Sequence, residues 1–438
     1  MQIRMRVVTF VTTLFLAFCY DDRNTETNRE EIMMGSKRLN LKETLYDFTE
    51  RYKESIPLLI AMGFDNLKDE TQRNVIGKQI TLEMALKSKG ISPTAFEEKV
   101  LESMEGELED KNRLTDKQPH INVSGVLPCP VRIPLLEAFE KWLEDNQQGV
   151  GVKIDYDLRA ASMGVDWLKE RLVKEDPHVI PDLFISAGFD LFFDDKLFGH
   201  YREKGFFKDI TIHSSSYHPD FSNDKIDLRD PKGQYSMIGV VPAVFLVNTD
   251  ELNGSKMPKT WDDILSDTFQ HRVSLPVGDF DLFNAIMLNI HKKYGDDGIR
   301  KLKKSMLRSM HPSEMVKSHV KKYNKPTVTI MPYFFTKLVK GTGPMQAVWP
   351  EDGAIISPIF MLTKKEKANQ LKPIADFYAS KEIGEILAHN GRFPSTNPEV
   401  DNRVPEENSY RWLSWEYIED NDIGQLIRHC ERIFNEEA

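Results

Sequence analysis

Cysteine is scarce in this chain. The three present, Cys19, Cys129 and Cys430, stand far apart in 438 residues and make no metal-ligand spacing, which leaves no disulfide framework or zinc motif to read. No excess of positive charge is available either. The formal net charge is −10, which argues against nucleic acid as the main partner, since phosphates need a face-wide basic surplus to neutralise them. Glycine motifs for nucleotides are absent: there is neither a phosphate-loop pattern nor a dinucleotide fingerprint. No internal repeat and no low-complexity segment interrupts the sequence.

What remains is the composition of a globular protein, 40% hydrophobic and 29% charged, in a chain long enough for two or three cores. Residues 1–33 form a signal-like segment or an untranslated upstream extension. Arg4 and Arg6 precede an apolar run from Val7 to Phe18 and then Cys19, the shape of a signal peptide. A lipoprotein box wants a small residue before the cysteine, and Phe18 is large. Arg29-Glu30-Glu31 can be written in purine-rich codons like a ribosome-binding site, just before Met33 and Met34. A start at Met33 or Met34 is therefore expected, giving a cytoplasmic protein. The alternative is an extracytoplasmic lipoprotein that touches the membrane through Cys19.

Residues 39–103 read as a small helical domain. Asn40 and Glu43 have capping-box spacing, and Leu41, Leu45, Phe48 and Tyr52 follow at helical intervals. Ile56 to Leu59 opens a second helix that Gly63-Phe64 ends. Thr81 caps a third with Leu82, Ala85 and Leu86, and Ser92-Pro93 opens a fourth with Phe96 and Val100. The order IPLLIAMGFDNL … TLEMALKSKGI resembles a short helical domain of unknown function found beside redox and iron–sulfur proteins. Relatives of that group often carry cysteines near the Gly-Phe turn. Asp65-Asn66 stands there in this chain, so a packing or partner-binding module is expected. The charged residues 104–120 form a linker.

From Ile121 strands and helices alternate. Strands are expected at Ile121 to Gly125, Val152 to Leu158 and Pro181 to Ser186, with helices at Pro134 to Leu143 and Asp166 to Val173. This β-α-β-α-β order predicts a parallel sheet covered by helices. Met237 to Val247 is an apolar run long enough to leave one sheet and enter another. A second α/β series follows, with helices at Trp261 to Leu265 and Asp281 to Tyr294 and strands at Arg272 to Pro276 and Thr327 to Met331. Strands at Ala354 to Leu362 then return to the first series. The resulting expectation is an α/β fold of two lobes, the first about 121–246 with 347–438 and the second about 247–346, joined by a hinge.

The run DGAIISPIFML, the helix around ASKEIGEIL and the closing NGRFPSTNP resemble the C-terminal part of type 2 bacterial extracellular solute-binding proteins. These are the ligand-capturing subunits of ABC importers. The resemblance covers about Ile121 to Pro398. It implies a periplasmic-binding-protein type 2 fold, capture of a small solute or ion complex by hinge closure, an ABC permease as partner, no cofactor and no catalysis. A cytoplasmic sensor or carrier on the same lobes is the alternative function, and an enzyme using Cys129 a third.

In open α/β sheets, ligands bind beyond the carboxyl ends of strands. Four loops offer candidates: Ser124, Cys129 and Arg132 in the first, Ser186 in the second, Asp279 in the third and Tyr333 in the fourth. Arg132 could pair an anionic group, and Asp279 is also a natural helix cap. The resemblance places Asp279 toward the cleft. In the ferric-ion branch of the family, adjacent tyrosines near the fourth loop hold the metal. Tyr333 is followed here by Phe334 and Phe335, so iron(III) is not supported and no metal is expected. The histidines of His213 to His218 have no metal-pair spacing and read as a loop. Asp194-Asp195 and Asp296-Asp297 read as solvated turns, and Cys430 as a buried core thiol.

Overall fold

The computed structural model describes residues 40–52, 55–56, 59, 64, 67, 70–88, 96, 120–150, 153–161, 165, 168–169, 180–189, 191–277, 280–339 and 341–436. The signal-like segment, residues 104–119 of the expected linker and Asp279 lie outside these residues, and His120, expected in the linker, opens the first strand. The chain divides into two compact units, 1–117 and 118–438.

The first unit contains α1 (Leu45–Arg51), α2 (Glu70–Gly77) and α3 (Leu82–Ser88). Leu45, Phe48, Tyr52, Leu59, Leu82, Leu86 and Phe96 share its core. Thr81 caps α3, accepting from Met84 N at 3.2 Å. The cap of α1 is Thr44, not Asn40. Its hydroxyl accepts from Asp47 N at 3.0 Å, while Asn40 only closes a local turn onto Lys42 N. Starting the helix four residues later buries Leu45 and lets Thr44 bridge to Thr81. The polar helix α2 carries no apolar periodicity that would have announced it.

The second unit is built on ten strands: β1 (His120–Leu127), β2 (Lys153–Ala160), β3 (Leu183–Ala187), β4 (Tyr235–Asn248), β5 (Val273–Leu275), β6 (Met306–Ser309), β7 (Val328–Pro332), β8 (Met345–Val348), β9 (Ala354–Thr363) and β10 (Tyr410–Arg411). Four helices matter below: α4 (Arg132–Val150), α5 (Phe280–Ser305), α6 (Ala368–Tyr378) and α7 (Ile423–Asn435). The ladder runs β2-β1-β3-β9-β4-β7-β5-β6. β1, β2 and β3 are parallel, and β9 enters antiparallel between β3 and β4.

β4 belongs to both groups of strands, which are therefore joined in one ladder rather than held as two separate sheets. Tyr235 to Pro242 pairs with β9, and Ala243 to Val247 pairs with β7. The exchange of partners falls at Pro242, and Ala243 lies opposite Pro332. Proline cannot donate to a ladder, so both prolines sit where the pairing changes hands. All fourteen residues of β4 are buried, the continuous apolar strand expected of a sheet covered on both faces.

α5 runs eleven residues beyond the expected end at Tyr294 because it kinks rather than stops. Gly295 takes φ 61° and ψ −157° within it. Among the described residues no helix is long and apolar enough to cross a membrane.

Candidate functional site

Of the six residues singled out in the sequence, two belong to the interior of the sheet. Ser124 is buried within β1 and donates to Asn122 Oδ1 at 3.0 Å, a neighbour two residues away on the same face. Ser186 is wholly buried in β3, opposite Phe360 of β9. Both hydroxyls lie one or more residues short of the strand ends where loops begin.

Cys129 and Arg132 lie just past the carboxyl end of β1. Pro128 leads into a single 3-10 turn, Cys129–Val131, which feeds α4. Cys129 is exposed. Arg132 donates from Nε to Leu158 O at 3.1 Å, fixing the start of α4 to the end of β2. Tyr333 opens another 3-10 turn, Tyr333–Leu338, directly after β7.

The segment 389–393 brings these two turns together, and sequence reasoning missed its part in the site. Val131 Cγ1 lies 2.7 Å from where a Cβ on Gly391 would stand, so this backbone packs directly on the Cys129 turn. On the other side, the Arg392 guanidinium lies 5.0 Å from the centre of the Tyr333 ring and donates to Thr336 Oγ1. Phe393 stacks on Phe334 at 6.3 Å. Lys337 Nζ donates to His389 O at 2.6 Å and Asn390 O at 2.7 Å. Arg392 holds φ at 49°, in the left-handed region uncommon for such a side chain. Such backbone is held by its surroundings, often where a site needs a side chain aimed.

The electrostatics are one-sided. Burial lowers the Lys337 pKa, and the nearby Arg392 and Arg403 lower it further. Among the described residues no carboxylate forms an ion pair with Arg392, Lys337 or Arg403. The cluster gathers two cationic side chains, Arg392 and Lys337, beside an aromatic ring.

A second junction lies at the end of β3. Gly188 N donates to Pro358 O at 2.9 Å with φ at 93°. A Cβ added there would meet Asp281 Oδ1 at 2.7 Å and Asp281 Cα at 3.1 Å. Ser357 Oγ donates to Asp281 O at 3.1 Å. Asp281, in the first turn of α5, is thus the acid that meets the β3 turn; the sequence drew attention to Asp279 instead. Gly188→Ala should cost about 1–2 kcal/mol from the left-handed backbone alone, before the contact with Asp281 is counted. Urea denaturation reads this, and an unchanged midpoint would mean that residue 188 does not hold this left-handed backbone in solution.

The remaining candidates resolve structurally. His218 Nδ1 accepts from Asp220 N at 3.2 Å and caps a short turn, so the histidine run is a loop. Cys430 is buried, and burial pushes its thiol up to about 12. Asp194 is not a solvated turn residue, and Asp296, though partly exposed, has specific partners. Asp194 is buried, accepting from Lys196 N at 2.9 Å and from Arg428 Nη1 at 2.5 Å. Asp296 contacts two histidines, one of them on another helix.

Comparison with known proteins agrees with this architecture. Residues 179–421 match the family model of the bacterial extracellular solute-binding proteins, and residues 39–96 match that of a domain of unknown function. The periplasmic binding protein P5PA has a similar fold, with TM-score 0.51 at 16% identity over 72% of this chain and 98% of that one. The ferric binding protein from Campylobacter jejuni gives 0.51 at 14% identity, over 72% and 98%. Iron-bound HitA from Pseudomonas aeruginosa gives 0.51 at 10% identity, over 71% and 99%. No curated protein matches by sequence.

The matched model spans more than half of the chain, and the chain belongs to the bacterial extracellular solute-binding protein family. Its role is that of a solute-binding protein rather than an enzyme, on a type 2 periplasmic-binding-protein fold.

Proposed function

We propose that this chain captures an anionic solute between two lobes, about 121–246 with 347–438 and about 247–346, and presents it to an ABC permease. The observation that carries this reading is the Arg392–Tyr333 pair. A guanidinium from one strand group lies over an aromatic ring from the other, with the Lys337 ammonium bound to the backbone just before Arg392. A ligand anion at this junction would meet these two cations, and arginine is suited to bidentate pairing with carboxylate or phosphate. β4 passes from one strand group to the other, and a strand shared by both is a natural hinge position. The first-lobe contacts would be Cys129, Arg132 and Arg392, with Tyr333 and Lys337 from the second. Ser124 and Ser186 support the sheet beneath them, and Asp279 remains a candidate at the head of α5. The single tyrosine in Tyr333-Phe334-Phe335 speaks against the bare ferric ion.

Native mass spectrometry of gently purified protein should weigh a retained low-mass anion, which calorimetry can then titrate. Losing a charged contact costs on the order of 1.5–3 kcal/mol, so Arg392→Ala and Arg132→Ala should each weaken binding by roughly tenfold or more. Tyr333→Ala should weaken it as well by removing the ring under Arg392. Parent-like binding by all three variants would overturn the assignment.

A further inference from the structure

His291 and Asp296 stand on α5, and His429 stands on α7, away from the junction just described. His291 Nε2 lies 3.2 Å from Asp296 Oδ1, and His429 Nε2 lies 2.9 Å from the same oxygen. One ligand atom from each residue falls within 4.8 Å of the other two. The two rings meet edge to face, with centroids 5.7 Å apart.

The backbone is arranged to make this cluster. In a continuous helix, residues 291 and 296 would point to different sides, since five residues exceed one turn. Gly295 breaks the helix with φ 61° and ψ −157°, a conformation open essentially to glycine alone. The break swings Asp296 back over His291, and α7 supplies His429 from the opposite side. α7 is held there by Phe434 on Phe283 of α5, ring centroids 5.2 Å apart, and by Arg428 on Asp194.

The side chains are between 18% and 41% exposed, so the cluster is both formed and open to solvent ions. Two imidazole nitrogens and one carboxylate oxygen are a three-protein-ligand set for zinc, with water completing the tetrahedron. Tetrahedral ligands 2.0–2.1 Å from the ion stand about 3.4 Å from one another, close to the two spacings to Asp296.

We infer that His291, Asp296 and His429 form a binding site for a zinc-class divalent cation that braces α5 against α7. Binding uses the Nε2 lone pairs, so the imidazole protons leave for solvent or shift to Nδ1. At His429 this has a structural consequence. Its Nδ1 lies 2.8 Å from Arg432 Nη2, and arginine can only donate, so Nδ1 carries no proton while that contact lasts. Metal binding must release Arg432. Arg432→Ala should therefore tighten metal binding, a response that a purely structural His–Asp–His contact would not give.

The test is cobalt(II) titration of chelator-treated full chain, read as visible d–d absorption, with zinc competition by calorimetry. The expected result is one equivalent of tetrahedral cobalt displaced by zinc, bound at least tenfold more weakly by Asp296→Asn and by the His291→Ala/His429→Ala pair. Circular dichroism in chelator checks that these variants remain folded, and Asp296→Asn, nearly isosteric, keeps the test valid if the histidine pair misfolds. Cobalt uptake equal in parent and Asp296→Asn would overturn the inference, as would no uptake by the parent or weaker binding by Arg432→Ala.

Discussion

Replacing Asp182 with alanine should destabilise the fold by about 3–5 kcal/mol, the cost of breaking a buried ion pair from one side. Asp182 sits just ahead of β3 with 6% of its side chain exposed. Its carboxylate accepts from Lys367 Nζ at 2.7 Å and Asn122 N at 3.0 Å, and pairs with Lys364 Nζ at 3.2 Å. Lys364 is itself 7% exposed, so removing the carboxylate strands a buried ammonium. Asn122 belongs to β1, and both lysines follow β9, so one side chain ties together three adjacent strands of the ladder.

The same group predicts an acid response. Burial alone would raise the Asp182 pKa, but the Lys367 hydrogen bond, the Asn122 N–H and the Lys364 charge outweigh it, and the net shift is below 3.8. A carboxyl depressed on folding contributes stability above its unfolded pKa, about 3.9, and loses it as pH falls through the folded value. Urea denaturation of the parent should therefore show a fall in stability below about pH 4 that Asp182→Ala lacks. A variant within about 0.5 kcal/mol of the parent at neutral pH would remove Asp182 from this role.

Trp261→Ala should cost a similar 3–5 kcal/mol, the usual range for deleting a large aromatic from a core. The ring is wholly buried, edge-on to Phe245 of β4 at 5.0 Å. Its Nε1 donates to Gly353 O at 3.0 Å, and its backbone N donates to Asp352 Oδ1 at 3.1 Å. Asp352 also accepts from Arg411 Nη2 at 2.7 Å. Trp261 thus locks the turn that launches β9, so the variant should lose ligand affinity as well as stability. Trp261→Phe separates the effects: most of the packing returns, while the unpaired Gly353 carbonyl should still cost about 1–3 kcal/mol. Denaturant midpoints of the two variants measure the difference, and a Trp261→Phe variant as stable as the parent would mean that the hydrogen bond contributes nothing.

The order of strands and helices was legible because apolar periodicity is local. β1, β3, β4 and β9 each announce themselves as short apolar runs between turn signals, and the parallel pairing of β1 with β2 and β3 follows from the helices expected between those three. The role of Arg392 was not legible. Its left-handed backbone and its stacking depend on Tyr333, in a different strand group, and NGRFP reads simply as a helix stop. Asp194 and Asp296 read as solvated turn residues in the sequence because their partners, Arg428 and His429, lie 234 and 133 residues further along. The cap of α1 failed differently: Asn40 and Thr44 are both good caps, and only the bridge from Thr44 to Thr81 chooses between them. Local chemistry fixed the menu in each case, and distant contacts made the choice.

The insertion of β9 between β3 and β4 sets the order in which the chain can fold during synthesis. β3 leaves the ribosome with β1 as its neighbour on one side, and its other edge waits for a strand encoded 167 residues later, from Ala187 to Ala354. At roughly 5–20 residues per second that wait is on the order of 10–30 s. Through it, β3 and the apolar first half of β4 present unpaired backbone edges, the feature that invites pairing with other chains. Newly made chains should therefore depend on a holdase until residue 363 emerges, and truncations before β9 should aggregate rather than yield a folded half.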